Sequence, residues 1–133
     1  MALAIHLPYY ATGLRADQLA EALDALTVEL LREGALDVRV YRSKEDAYRF
    51  RQVIVVPSKG DWARIWNSEP FVAFRTTRIS WYQKPLAYEL YETISSGTAP
   101  GADADAAGAA DAPAQNEASA SDPIAASSPG QSL

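Results

Sequence analysis

The 133-residue sequence contains no cysteine, which excludes disulfides, thiolate metal centres, iron–sulfur ligation and a thiol nucleophile. It has a single histidine, His6, so multi-histidine metal sites are excluded as well. No apolar run approaches the roughly 20 residues that a membrane helix needs, and Met1 to Tyr10 lacks the basic n-region of a signal peptide. A soluble, cytoplasmic protein with no membrane partner is expected. Phosphate-cradling loops, dinucleotide-binding glycine motifs and serine nucleophile elbows are absent too, which leaves nucleotide chemistry and serine hydrolysis without support. Glu89 and Glu92, three apart in a strand pattern, fall on opposite faces. Neither a metal nor a bound cofactor is expected.

Charge is unevenly distributed. All 12 lysines and arginines lie before Gly97, beside 12 acidic residues, whereas the last 36 residues hold five acids and no base. The net charge of −5 therefore belongs to the C-terminal stretch. From Thr98 to Leu133 no aromatic residue occurs, 13 positions are alanine, and Pro100, Pro113, Pro123 and Pro129 interrupt the chain. Such a composition cannot bury enough surface to offset its ordering entropy. The expected organisation is a folded domain over 1–97 and a disordered acidic tail over 98–133.

Within the domain, Leu3, Ile5, Leu7 and Tyr9 alternate with Ala4, His6, Pro8 and Tyr10, the period of a strand with one apolar face. Thr12 and Gly13 turn the chain. Leu19, Leu23, Leu26 and Leu30 then recur at helical spacing, with Asp17 and Glu21 early and Gly34 at the stop. Val38 and Val40 alternate with charged residues, and Ser43 to Asp46 turn into Phe50 to Val56, so strands two and three form a hairpin. Val53 to Val56 is a continuous β-branched run, which suits a central strand covered on both faces, while the charged second strand suits an edge.

Ser58 and Asp61 form a variant capping box before a helix on which Trp62, Ile65 and Trp66 share a face. The helix breaks near Ser68 and Pro70, resumes with Phe71 and Phe74, and ends before Pro85. Tyr88, Leu90 and Ile94 alternate with acids as a last strand. The order βαββαβ, with right-handed crossovers, places strands one and three at the centre of an antiparallel sheet and both helices on one face. The fold class expected is α+β, a ferredoxin-like sandwich. Its other face would expose an apolar patch, and a second copy is the simplest cover.

The βαββαβ order, the run from Trp62 through Trp66 and Asn67 to Phe74, and the late Trp81-Tyr82-Gln83-Lys84-Pro85 stretch resemble small proteins of the dimeric α/β-barrel superfamily. Within it, the antibiotic biosynthesis monooxygenase group, quinol monooxygenase-like, is the most similar. The resemblance covers about residues 1 to 97. It implies a homodimer joined through the sheet face, a pocket between sheet and helices, and members that oxygenate phenols and quinols without a cofactor. The haem-degrading branch uses a helix histidine, whereas His6 lies in a strand, so haem chemistry does not carry over.

His6 falls on the strand face opposite Leu3, Ile5 and Leu7. It is the side chain whose ordinary pKa lies near neutrality, and as a general base it could take a phenolic proton. Tyr10, Tyr41 and Arg51 could share that face and offer donors to an oxyanion or carboxylate. Which face of strand three turns inward depends on register. Trp62 and Trp66, four apart, could wall a flat aromatic ligand, although core packing is the commoner role of such a pair. Asn67 could cap the next helical turn or bind a ligand. Arg75, Arg78 and Lys84 read as a solvated basic strip.

Two functions are compatible with this pattern. The first is a cofactor-independent monooxygenase-like enzyme for a phenolic, quinol or polyketide-type small molecule, with His6 as base and Tyr10, Tyr41, Arg51, Trp66 and Asn67 binding substrate. The second is a non-catalytic ligand-binding or accessory protein on the same scaffold. RNA recognition shares the βαββαβ order, but Arg49 to Val56 lacks the glycine-spaced aromatics of that fold and the domain carries no net positive charge, so no nucleic-acid partner is expected.

Overall fold

A computed structural model describes residues 2–101 of the protein. Strand β1 (Leu3–Tyr10) is followed by helix α1 (Ala16–Arg32), strands β2 (Asp37–Arg42) and β3 (Arg49–Val56), helices α2 (Lys59–Trp66) and α3 (Glu69–Thr77), a 3₁₀ turn (Ile79–Trp81) and strand β4 (Glu89–Glu92). All of them fall within one compact unit, Met1–Ile94, while residues 95–101 carry no helix or strand. The remainder of the expected tail lies outside the described residues. Among those described, no helix is long and apolar enough to cross a membrane.

The helix boundaries follow local chemistry. Helix α1 begins after Gly13, whose φ of +53° suits a residue without Cβ, and stops at Gly34 with φ +110°. At Gly34 a Cβ would also sit 2.9 Å from the Arg64 guanidinium, so a side chain there would displace it. Helix α2 is capped by Ser58, whose Oγ accepts from the Asp61 backbone N–H at 3.2 Å and donates to the Asp61 carboxylate at 2.7 Å. Its end corrects one expectation. Asn67 closes α2, its side-chain amide donating back to the Ala63 carbonyl at 2.8 Å, and the next helix is led instead by Ser68 and Pro70. Proline is at no disadvantage there because first-turn N–H groups have no helical partner.

The sheet order is β2-β3-β1-β4, antiparallel throughout, with β1 and β3 central as the pattern predicted. Register assigns the faces. Ile5 lies opposite Ile54, Leu7 opposite Gln52 and Tyr9 opposite Phe50, and all six side chains are buried against the helices. Leu19, Leu23, Leu26 and Leu30 of α1, Trp62 and Ile65 of α2, and Phe71 and Phe74 of α3 complete this core. The fold is thus α+β and ferredoxin-like.

The other sheet face is less apolar than the β-branched run implied. Val53 and Val55 are only half-buried there, set among Arg39, Arg49, Arg51 and Asp37. Strand β4 is shorter than the apolar alternation suggested. Leu90 pairs across from Ile5 yet stays 41% exposed, and Ile94 lies beyond the strand at 90%.

Candidate functional site

On the open face, His6 of β1 lies between Val53 of β3 and Glu89 of β4. The Arg51 guanidinium is 3.2 Å from His6 Nδ1. Guanidinium groups only donate, so Nδ1 is the acceptor and the neutral ring carries its proton on Nε2. The Tyr91 ring meets the imidazole edge-on at 4.7 Å between centroids, and its hydroxyl donates to Glu89 at 2.7 Å. Partial burial, then the Arg51 charge, push the His6 pKa below its ordinary value against an opposing pull from Glu89. His6 is therefore neutral at physiological pH and flanked by one cation and one carboxylate.

Tyr10, Tyr41 and Arg51 share this face with His6, but only Arg51 touches it. Tyr41 pairs with Arg51 across the hairpin and is half exposed at the sheet edge. Tyr10 stands at the far end of β1, where its hydroxyl donates to Asp46 at 2.8 Å; that bond raises the phenol pKa. Trp66 and Asn67 lie in the helical layer, on the opposite side of the sheet, and are not brought to His6.

The helix side holds its own polar groups, which the spacing of residues did not single out. The buried Tyr9 hydroxyl donates to Gln52 Oε1 at 2.8 Å, while Gln52 Nε2 has no partner among the described residues. Burial drives the Tyr9 pKa well up, so it stays a neutral donor. Arg75 is not part of a solvated strip. Its guanidinium lies 3.6 Å from the centroid of the Trp66 ring, donates to the Trp66 carbonyl at 2.8 Å, and loses proton affinity through partial burial. Trp62 and Trp66 each pack edge to face against Phe71 and Tyr88, which makes Trp62 a core residue and leaves Trp66 half-buried beneath the cation. A composition signal existed for Gln52, a lone polar residue in the inward alternation Phe50, Gln52, Ile54, but none for the contact between Arg75 and Trp66.

Two grooves on the surface of the described residues border strand β2. One of about 320 Å³ runs between α1 and β2 over Ala20, Val38, Val40 and Phe50. The other, about 280 Å³, lies on the open face at the hairpin end, lined by Pro8, Tyr41, Arg42, Arg49 and Arg51 among others. The described residues contain no group of His, Asp and Glu side chains able to hold a metal.

No family model matches the sequence, and no curated protein is similar to it. Solved structures are. The chain is 14% identical to Rv0793 from Mycobacterium tuberculosis, with 74% of this chain and 100% of that one covered at a TM-score of 0.65. SnoaB, a cofactor-independent oxygenase from Streptomyces nogalater, is 9% identical, covering 71% and 95% at a TM-score of 0.63. A structure described as an antibiotic biosynthesis monooxygenase is 12% identical, covering 71% and 100% at the same TM-score. Identities this low speak for architecture alone. The described domain therefore has the ferredoxin-like fold of the antibiotic biosynthesis monooxygenase structures.

Proposed function

We propose that this protein is a cofactor-independent, monooxygenase-like homodimer that acts on a phenolic or quinol small molecule, with His6 and Arg51 as the reacting pair. The observation that carries the reading is the 3.2 Å contact between Arg51 and His6 Nδ1 on the open sheet face. It sets a neutral imidazole next to a permanent cation. A phenol inserted between them donates its proton to Nδ1, and the phenolate oxygen then accepts from Arg51. The lowered pKa makes His6 a weaker base, an effect that the neighbouring guanidinium offsets by stabilising the anion. The electron-rich phenolate passes an electron to dioxygen from solution, and the balance of the reaction is phenol plus dioxygen giving quinone plus water. A second copy over the half-buried Val53 and Val55 would exclude solvent from the pair. Tyr41 and Tyr10 extend the face for binding, and Trp66 with Asn67 would belong to a separate contact on the helix side.

A second reading, non-catalytic ligand binding, is favoured by the fact that Arg51 already occupies the Nδ1 lone pair. Oxygen consumption with a hydroquinone separates the two. The proposal expects substrate-dependent uptake that falls about 100-fold or more in His6→Ala, the usual contribution of a general base. Uptake that survives the substitution removes His6 from the mechanism. Binding of the quinol without any uptake by the unaltered protein assigns the second reading.

A further inference from the structure

The groove at the hairpin end of the open face combines an apolar floor with an excess of cationic charge. Pro8 and Tyr41 supply the floor, and of the groove's three arginines Arg49 and Arg51 stand on this face, whereas Arg42 and the buried Phe50 border the groove from the helix side. The partners of the three arginines are unequal. Arg42 is fully engaged: it lies 3.0 Å from Asp17, donates to the Ala47 carbonyl at 2.7 Å and covers the Phe50 ring at 5.1 Å. Arg49 reaches Asp46 only at 3.8 Å, and that carboxylate already accepts from the Tyr10 hydroxyl and the Tyr48 backbone N–H. Arg51 makes no ion pair among the described residues, its side chain being given to His6. Two arginine forks thus face one groove with a single distant carboxylate between them.

We propose that this groove is a carboxylate subsite, and that the ligand of the protein is a hydroxyaryl carboxylic acid. Arg49 takes the carboxylate through its planar fork, the geometry for which guanidinium is better suited than ammonium. The ring lies over Pro8 and Tyr41. Arg49 and Arg51 are two residues apart on one strand face, roughly 7 Å along the chain, a span that leaves room for one aromatic ring between the groups they bind. The hydroxyl end then points to Arg51 and His6. That orientation rests on the function proposed above; the preference for a carboxylate rests on the groove alone.

Titration of the full-length protein with 4-hydroxybenzoate and its neutral isostere 4-hydroxybenzamide, followed by calorimetry and by amide chemical shifts, tests the assignment. The carboxylate is expected to bind about tenfold more tightly, with the margin shrinking as salt is raised. Arg49→Gln should abolish the margin while leaving the amide affinity unchanged, and Arg49→Lys should restore part of it. Equal or undetectable affinities in the unaltered protein, or a margin that survives Arg49→Gln in a variant with an unchanged amide spectrum, overturn the proposal. The two proposals fail separately. A carboxylate margin without oxygen uptake leaves the subsite standing and removes the oxygenase, whereas uptake without a margin does the reverse.

Discussion

Tyr9, Phe50, Gln52 and Ile54 point into the helices, while their immediate neighbours Tyr10, Arg49, Arg51 and Val53 point to the opposite side of the same sheet. On the helix side, polar atoms are held in place by burial: Tyr9 is bonded to Gln52 and its proton is retained, while Gln52 Nε2, Trp62 Nε1 and Arg78 Nε lack a partner among the described residues. On the open side, polar atoms keep spare capacity. His6 has a lowered pKa, Arg51 has no acid partner among the described residues, and both remain partly accessible. Burial fixes a polar group as structure, and partial exposure leaves it available for chemistry. The contrast arises from one residue of register, since a slip by one would exchange the two sets.

Substitutions at adjacent residues measure the contrast directly. Ile54→Ala, on the covered face, should cost about 2–5 kcal/mol of unfolding free energy, read from the denaturant midpoint. Val53→Ala, next to it, should cost less than about 1 kcal/mol in an isolated subunit, because the side chain is only half-buried. A Val53→Ala loss as large as that of Ile54→Ala, and dependent on protein concentration, would show that a second copy covers the open face.

The Tyr9 and Gln52 pair offers a smaller, sharper test. Tyr9→Phe alone should destabilise by about 1–3 kcal/mol, because it leaves Gln52 Oε1 buried without a donor. Combining it with Gln52→Leu should recover most of that loss, since removing both partners leaves no orphaned atom. If the double variant is no better than the single one, the hydrogen bond contributes little and packing of the ring dominates.

The smallest expected effect is the pH dependence contributed by His6. A folded-state pKa below the ordinary value means that the unfolded chain binds the proton more readily between those two pKa values. Stability from this group is therefore fully present above about pH 6.5, the unperturbed value, and is lost as pH falls through the window below it. Comparing unfolding midpoints across mildly acidic pH should show a shallow decline that His6→Asn removes. An unchanged decline would place its origin in other groups.

Much of the fold was legible because hydrophobic periodicity is a local property. The α1 leucines, the alternation of β1 and the Ser58 and Asp61 cap each read directly from spacing, and all are found where that spacing puts them. The candidate site was only partly legible. The face shared by His6 and Arg51 follows from alternation once β3 is assigned its inward set, but Glu89 and Tyr91 reach His6 through the pairing of β4 with β1, 80 or more residues apart in sequence. The cap expected of Asn67 on the following helix is not formed, because a residue between two short helices can serve either end and the amide turns back to Ala63.

By itself the sequence determined the order of elements, the central place of β3 and the covered face of β1, because burial of apolar side chains at a fixed period leaves few alternatives, whereas the covered face of β3 waited on its register. Tertiary structure alone decided which charges meet. Arg51 on His6 depends on the pairing of strands 45 residues apart, and Arg75 on Trp66 and the surplus arginine charge of the hairpin groove depend on how the chain turns between neighbouring elements, geometry that no hydrophobic period encodes.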